Sequence, residues 1–355
     1  MVLSFVYECI NYPEHEYHIF VGQGLAKSLI EKDFPKNFKF YYFDFGQISF
    51  MNKYRINKIL EPLEKKINPD CIIATSGPTY FHSKSPQIIG YNLPLYIYPE
   101  SPYINNLSLI KKLKLYIKKQ IHFYNFKRDA IAYVVQTQDV NQRVRKALST
   151  DDVYTVTNNH SSFYNTWKKY PLKLPINSND KIRLLTISSW YPHKNIEIIP
   201  KVLDELLLRN IRNIQFILTL KDNNFEKIIG EKYKGYVLNV GPIKPNECPS
   251  LYDECDIMFL PTLAECFSAS YPEAMIMEKP IITTDLGFSK SICKDAALYF
   301  EAKNPNSAAD AIEKLINDSS LWTKLVINGK KRLKTFDSPK ERARKYLSLC
   351  EKFAI

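Results

Sequence analysis

The stretch that decides the fold runs Phe259-Leu-Pro-Thr-Leu-Ala-Glu265-Cys-Phe-Ser-Ala-Ser-Tyr-Pro-Glu273-Ala-Met-Ile-Met-Glu-Lys-Pro280-Ile-Ile-Thr-Thr284. An apolar run ends at Leu260, Pro261 and Thr262 break it, and a helical pattern opens near Ser268 to Tyr271, with Pro272 tolerated in its first turn. A second apolar run follows Lys279-Pro280. Strand, loop, helix and strand in that order make a parallel α/β repeat. The helix opening leaves backbone N–H groups free and presents the positive end of the helix dipole, an anion site suited to a diphosphate. Glu265 stands in the loop and Glu273 one turn inside the helix, so the two carboxylates can reach different parts of one extended ligand. A carboxylate accepts hydrogen bonds from vicinal hydroxyls, which suits a ribose or a sugar.

Outward from this stretch, short apolar runs alternate with helical patterns. Phe38 to Phe45, Cys71 to Thr75, Leu95 to Tyr98 and Ala132 to Gln136 read as strands of a first unit, with helices at Leu25 to Lys32 and Lys53 to Lys66. The polar stretch Leu172 to Asp180 reads as a linker. Beyond it, Ile182 to Ser188, Ile214 to Thr219, Val237 to Val240, Ile257 to Leu260 and Ile281 to Thr284 read as strands, and Glu197 to Arg209, Cys248 to Cys255 and Tyr271 to Glu278 as helices. The expected class is α/β, with two Rossmann-like, doubly wound domains facing each other across a cleft. They cover 1–170 and 181–337, and 338–355 forms a last helix packing back toward the first. Ligands of such sheets bind beyond the carboxyl ends of the strands, where strand order reverses. That directs attention to Ser76-Gly-Pro-Thr-Tyr80, Pro99-Glu-Ser-Pro102, Ser189-Trp-Tyr-Pro-His-Lys194, Gly241-Pro-Ile-Lys244 and Pro261 to Ser268.

Composition narrows the chemistry. The 355 residues are 45% hydrophobic and 24% charged, which excludes disorder, collagen and coiled coil. Only 10 are glycine, under half the usual share of about 7%, so a glycine-rich phosphate loop is not expected. Gly22-Gln-Gly24 is followed by Lys27, giving G-x-G-x-x-K, which lacks the third glycine of a dinucleotide fingerprint. The seven cysteines have no C-x-x-C pair and no zinc-site spacing, and read as reduced thiols of a cytoplasmic protein. Acidic residues from Glu8 onward argue against a signal peptide, and no apolar run reaches the roughly 18 residues of a membrane helix.

Glu265 and Glu273 form a Glu-x7-Glu pair, and with the following Ala-Met-x-x-x-Lys-Pro-Ile-Ile-Thr-Thr-Asp the segment resembles the C-terminal domain of family 4 retaining glycosyltransferases of GT-B fold. The likeness extends from about Ile182 to Phe353 through Pro192-His-Lys194-Asn, the Gly241 loop and Leu251-Tyr-Asp-Glu-Cys-Asp256. Ser76-Gly-Pro-Thr-Tyr80 and Val134-Val-Gln-Thr-Gln-Asp139 are more faintly similar to enzymes that build bacterial surface polysaccharide. The resemblance implies transfer of a hexose-type sugar from a nucleotide sugar, UDP- or GDP-linked, with no other cofactor and no metal. The implied acceptor is a glycan or a lipid-linked chain of O-antigen, capsule or lipopolysaccharide.

The same resemblance assigns roles. Glu273 would bind the donor ribose, Glu265 the transferred sugar, and Lys194 the diphosphate. Phe267, Ser268, Ala269 and Ser270, with Ser189, Gly241 and Thr262, would line the donor. Gly22, Gly24, Ser76, Gly77 and Glu100 are candidates on the acceptor side. The family commonly has arginine where Ser189 stands and glycine where Ser268 stands; Lys221 or Lys244 could supply the missing charge. Same-face attack by the acceptor hydroxyl, with the leaving phosphate taking its proton, is the mechanism implied. Isolated histidines such as His82 and His193 read as structural.

The positive charge is concentrated. Residues 1–100 carry 10 basic and 10 acidic side chains, whereas 101–128 hold Lys111, Lys112, Lys114, Lys118, Lys119, Lys127 and Arg128 with no acid. Leu107, Ile110, Leu113, Ile117 and Ile121 are interleaved, so residues 107–128 read as a basic helix with an apolar stripe. Two settings fit: peripheral contact with the inner face of the cytoplasmic membrane, or a core-facing helix with a solvated basic back. Two other functions compete with sugar transfer. One is a catalytically silent partner protein, suggested by Ser189 and Ser268. The other is nucleic-acid binding, suggested by the net charge of +12 but lacking any recognisable module, so no nucleic-acid partner is expected.

Overall fold

The computed structural model describes residues 2–26, 29–45, 52–168, 171, 173–177, 180–233 and 235–354. Twelve strands are described, β1 Tyr17–Gly22, β2 Phe38–Phe43, β3 Ile72–Ala74, β4 Gln87–Gly90, β5 Ala132–Val135, β6 Val153–Thr155, β7 Ile182–Thr186, β8 Ile214–Leu218, β9 Val237–Asn239, β10 Ile257–Leu260, β11 Ile281–Thr284 and β12 Ala297–Phe300. All pairings among them are parallel. The chain divides into two compact units. Residues 1–97, 108–158 and 337–355 form the first, and 98–107 with 159–336 the second. The expected division near residue 170 therefore falls later than the observed one, and a short stretch of the first half, 98–107, joins the second unit.

The second unit is built on a six-stranded sheet of order β12-β11-β10-β7-β8-β9. Strands β8, β10 and β11 are buried along their whole length because both faces of the sheet are covered. Period-two alternation sends Leu184, Phe216, Leu218, Phe259 and Ile282 to one core, with Val202, Leu206 and Ile312 from helices Ile199–Leu208 and Pro305–Asn317. Leu185, Ile217, Met258, Leu260 and Ile281 point to the other, against Leu251, Tyr271, Met275 and Ile292. Each large side chain withdrawn fully from water contributes about 1.5–3 kcal/mol. Phe259 lies at the centre of its face, stacked on Phe300 at 5.5 Å and edge-on to Phe216 at 5.4 Å.

The first unit holds two sheets, β1-β2 and β3-β4-β5-β6. The helix Pro339–Phe353 packs Tyr346 and Leu349 into the cluster of Ile88, Ala132 and Val134 from β4 and β5. Its start is fixed by a capping box, Ser338 accepting from the Glu341 amide while the Glu341 carboxylate accepts from that of Ser338.

Two local readings change. Leu95 to Tyr98 is not a strand: Pro94 starts a 3-10 turn over Pro94–Tyr96, and the strand beside β5 is β4. Gly90 in β4 is required by packing, since a Cβ there would sit 2.3 Å from the Thr75 carbonyl oxygen. The expected helix Leu25 to Lys32 is reduced to the turn Gln23–Ala26 and a 3-10 turn Glu31–Asp33, separated by an extended Ile30; Lys27 lies outside the described residues. The linker stretch is described only at 173–177 and 180. Strands β1, β6 and β12 carry mixed side chains such as His18, Thr155 and Tyr299, which hid them from a reading based on apolar runs.

Candidate functional site

The order of the second sheet reverses between β7 and β10, which pair at Ile257 with Leu184 and Met258 with Leu185. The loops leaving these neighbouring strands therefore emerge side by side. The first carries Lys194 and the second Glu265. After β7, Pro192 opens a 3-10 turn, Pro192–Lys194, and Asn195 reverses the chain in the left-handed region at φ 54° and ψ 34°, a conformation asparagine tolerates better than most residues. The loops are laced together by backbone: the Leu263 amide donates to the His193 carbonyl at 2.7 Å, and Asn195 Nδ2 donates to the Pro261 carbonyl at 3.3 Å. Thr284 and Ser101 hydroxyls hold the second loop through the Thr262 and Leu263 carbonyls, at 2.7 and 2.8 Å.

This lacing brings the Lys194 ammonium onto the Glu265 carboxylate as an ion pair. The Thr262 hydroxyl lies 3.0 Å from the same carboxylate oxygen and 3.3 Å from the His193 carbonyl. The Lys194 and Glu265 side chains are 18% and 11% exposed, so water screens the pair weakly, while desolvation offsets much of its contribution to stability. Burial pushes the His193 imidazole below its usual range, against the raising effect of Glu265. His193 is stacked on exposed Tyr191 and edge-on to Tyr103, so it acts through its backbone and its packing.

Glu273 has the opposite surroundings. It sits on the helix Ser270–Ile276, whose N-cap, Ala269, has no side chain to cap the free amides. The Tyr252 hydroxyl donates to the Ser270 carbonyl at 3.2 Å, and the Tyr271 hydroxyl lies 2.9 Å from that of Thr283, fastening the helix to the sheet. Burial raises the Glu273 carboxyl to about 7, with the Tyr164 hydroxyl opposing the shift. Its neighbours are neutral: the Cys248 thiol is pushed up to about 12 and Tyr252 well above its ordinary value, both mainly by burial.

The remaining candidates distribute unevenly. Phe267 packs edge-on to Phe336 at 5.8 Å, Ser268 is buried, and Ser270 begins the helix. Gly241 occupies the left-handed region at φ 71° with open space about it. Ser189, Lys221 and Lys244 are exposed, and no contact joins them to the Lys194–Glu265 pair among those described. Glu100 is exposed too, and it follows a turn where a strand was expected. In the first unit, Gly22 ends β1, Gly24 lies in the turn Gln23–Ala26, and Ser76 is exposed. Gly77 is a packing residue: a Cβ would fall 2.4 Å from Ile89 Cγ2 and 2.6 Å from Phe126 Cε1. Tyr164, Asn195 and Ser101 support the site without a sequence signal, because each acts on residues remote in the chain. Among the described residues no three His, Cys, Asp or Glu side chains converge as a metal site requires.

Residues 170–332 match the family described as glycosyl transferases group 1. We refer to this matching segment as the group 1 domain. It contains Lys194, Thr262, Glu265 and Glu273 and ends short of the helix Pro339–Phe353. A probable sucrose-phosphate synthase 1 from Craterostigma plantagineum is 28% identical over 190 residues, covering 47% of this chain and 18% of that protein. The chain thus spans under a fifth of the length of that curated relative. Among solved structures, WaaG, a glycosyltransferase involved in lipopolysaccharide biosynthesis, superposes with a TM-score of 0.70 at 14% identity, over 98% of this chain and 94% of that one. HepE from Anabaena, solved with UDP-glucose, gives 0.69 at 15% identity, over 98% and 95%. These likenesses carry the fold, and the group 1 domain and its companion unit have the GT-B fold.

Proposed function

We propose that the protein transfers a sugar from a nucleotide-sugar donor, holding the donor in its group 1 domain. The observation that carries this reading is the Lys194–Glu265–Thr262 cluster at the reversal point of the six-stranded sheet, with Glu273 on the helix that follows. Cleavage between the anomeric carbon and the diphosphate develops negative charge on the leaving group. A fixed cation lowers that barrier, and Lys194 is the cation held nearest Glu265. In the free protein Lys194 is paired with Glu265. Donor binding exchanges partners: the diphosphate takes Lys194, and the sugar hydroxyls donate to Glu265. Glu273, aided by its helix position, accepts from the ribose hydroxyls. The acceptor hydroxyl then attacks on the face the leaving group vacates, and the departing phosphate oxygen takes its proton. The net result is retention, with Lys194 supplying the charge that a divalent cation supplies elsewhere.

UDP is the first donor nucleotide to test, supported by the UDP-glucose bound to Anabaena HepE. A thermal-shift panel of UDP, GDP, ADP and CMP should raise the melting temperature for at least one diphosphate, and Glu273→Ala should abolish the rise. Indifference of the protein to all four would reject donor binding.

The proposed acceptor is lipid-linked, as in synthesis of a bacterial surface polysaccharide, with the protein on the inner membrane face. Support comes from the helix Leu109–Asp129. Leu109, Ile110, Leu113, Tyr116, Ile117 and Tyr124 share one face of it, and all are more than half exposed. The apolar stripe thus points to solvent, and the burial of this helix begins only near Phe123. Lysines 111, 112, 114, 118 and 119 flank the stripe. Each basic residue near an anionic surface contributes about 1 kcal/mol. No described helix is long and apolar enough to cross a membrane. The protein should float with phosphatidylglycerol vesicles, and changing Lys111, Lys112, Lys118 and Lys119 to Glu should release it. Absence of flotation by the unmodified protein would reject the membrane contact.

A further inference from the structure

Tyr164, on the segment preceding β7, packs in one cluster with Tyr271, Ala274 and Met275 of the helix that carries Glu273. This strap, described at 159–168 and 173–177, is fastened to the group 1 domain at several points. The Ser250 hydroxyl donates to the Lys168 carbonyl at 3.3 Å, the Leu174 amide to the Glu254 carboxylate at 2.9 Å, and the Arg183 guanidinium to the Pro175 carbonyl at 2.5 Å. The Tyr164 ring is 3% exposed, edge-on to Tyr252 at 6.1 Å and to His160 at 6.0 Å, and it packs among Leu174 and Leu251.

Its hydroxyl is the anomaly. Buried tyrosines normally place the O–H on a partner, because an enclosed unpaired hydroxyl carries its full desolvation cost. The Tyr164 hydroxyl is enclosed and forms no hydrogen bond of full geometry among the described residues, yet it is near enough to the Glu273 carboxylate to influence its ionisation. Both polar neighbours donate elsewhere, the Tyr252 hydroxyl to the Ser270 carbonyl and the Cys248 thiol to the Lys244 carbonyl at 3.5 Å, so neither proton is directed at the Glu273 carboxylate.

We infer that Tyr164 is a positioning residue for Glu273: when ligand hydroxyls occupy the carboxylate, the Tyr164 hydroxyl donates to it and fixes its orientation. This rests on the reading of Glu273 as the ribose carboxylate. The strap thereby links the segment between the two sheets to recognition of the ligand's diol, a role its sequence does not announce. The contact is expected to serve affinity for the ligand's diol more than the stability of the empty site.

Isothermal titration with UDP and GDP and with their 2′-deoxy counterparts tests both layers separately. The unmodified protein should prefer the ribose form of its nucleotide by about tenfold, the usual effect of one hydrogen bond to a charged group. Tyr164→Phe keeps the ring and its packing. It should weaken the ribose form until most of that preference is gone, while affinity for the deoxy form stays unchanged, which also checks that the variant is folded. In turnover the variant should raise KM for the donor and leave kcat near its original value. Full discrimination by Tyr164→Phe, or equal weakening of both nucleotides, would overturn the inference. Lack of discrimination by the unmodified protein would instead overturn the ribose reading of Glu273, and the inference with it.

Discussion

Glu265 and Glu273 belong to one motif, yet the fold treats them in opposite ways. Glu265 lies in a loop and is neutralised before any ligand arrives, by Lys194 and by the Thr262 hydroxyl. Glu273 lies on a helix near a half-buried thiol and two buried tyrosines, and burial raises it to about 7 with no cation beside it among the described side chains. In the proposed mechanism, the first arrangement keeps a cation next to the place where charge develops. In the same mechanism, the second keeps a carboxylate out of water, so that the ribose hydroxyls would be bound strongly. One carboxylate is thus paired within the empty fold, whereas burial of the other, once ionised, weakens it.

The most severe test of this contrast removes the cation. Lys194→Met should lower kcat/KM for transfer by about 10²–10³-fold, the range seen when a preorganised charge-stabilising group is lost. A fall under fivefold in a steady-state assay would place the charge stabilisation elsewhere. Smaller effects, of opposite sign, are expected for stability. Glu265→Gln leaves Lys194 unpaired and should lower the melting temperature at pH 8. Glu273→Gln should raise it by a few degrees, because the folded-state pKa lies above the ordinary value of 4.5. The sign follows from proton binding: ionisation of Glu273 disfavours the folded state, a penalty that develops as pH rises from about 4.5 and is complete above about 7. The gain from Glu273→Gln should therefore shrink on going from pH 8 to pH 5, as calorimetry at the two values will read. A gain independent of pH would refute the assignment of its cause.

Much of the second unit was legible in the sequence because its strands are buried on both faces. Ile182, Ile214, Ile257 and Ile281 each open a strand where an apolar run was read, since a parallel sheet covered by helices demands such runs. The first unit was harder. β1 mixes His18 with Phe20 and Val21, and the apolar Leu95 to Tyr98 folds as a turn because Pro94 fixes the local backbone. The apolar stripe of residues 109–124 was equally visible, but sequence could not say which way it faced. Periodicity specifies a helix face, and only packing decides whether that face is covered.

By itself the sequence determined the α/β class, the helix after Glu265 and the two carboxylates, because hydrophobic spacing and proline placement act locally. Tertiary structure decided the rest. Lys194 meets Glu265 across 71 positions because the strands before them are neighbours in the sheet. Tyr164 packs with the helix that carries Glu273 because the strap is tied to the helix Cys248–Asp253 and its surroundings. Such meetings depend on strand order and on the fastening of loops, properties of the whole domain that no window of residues encodes.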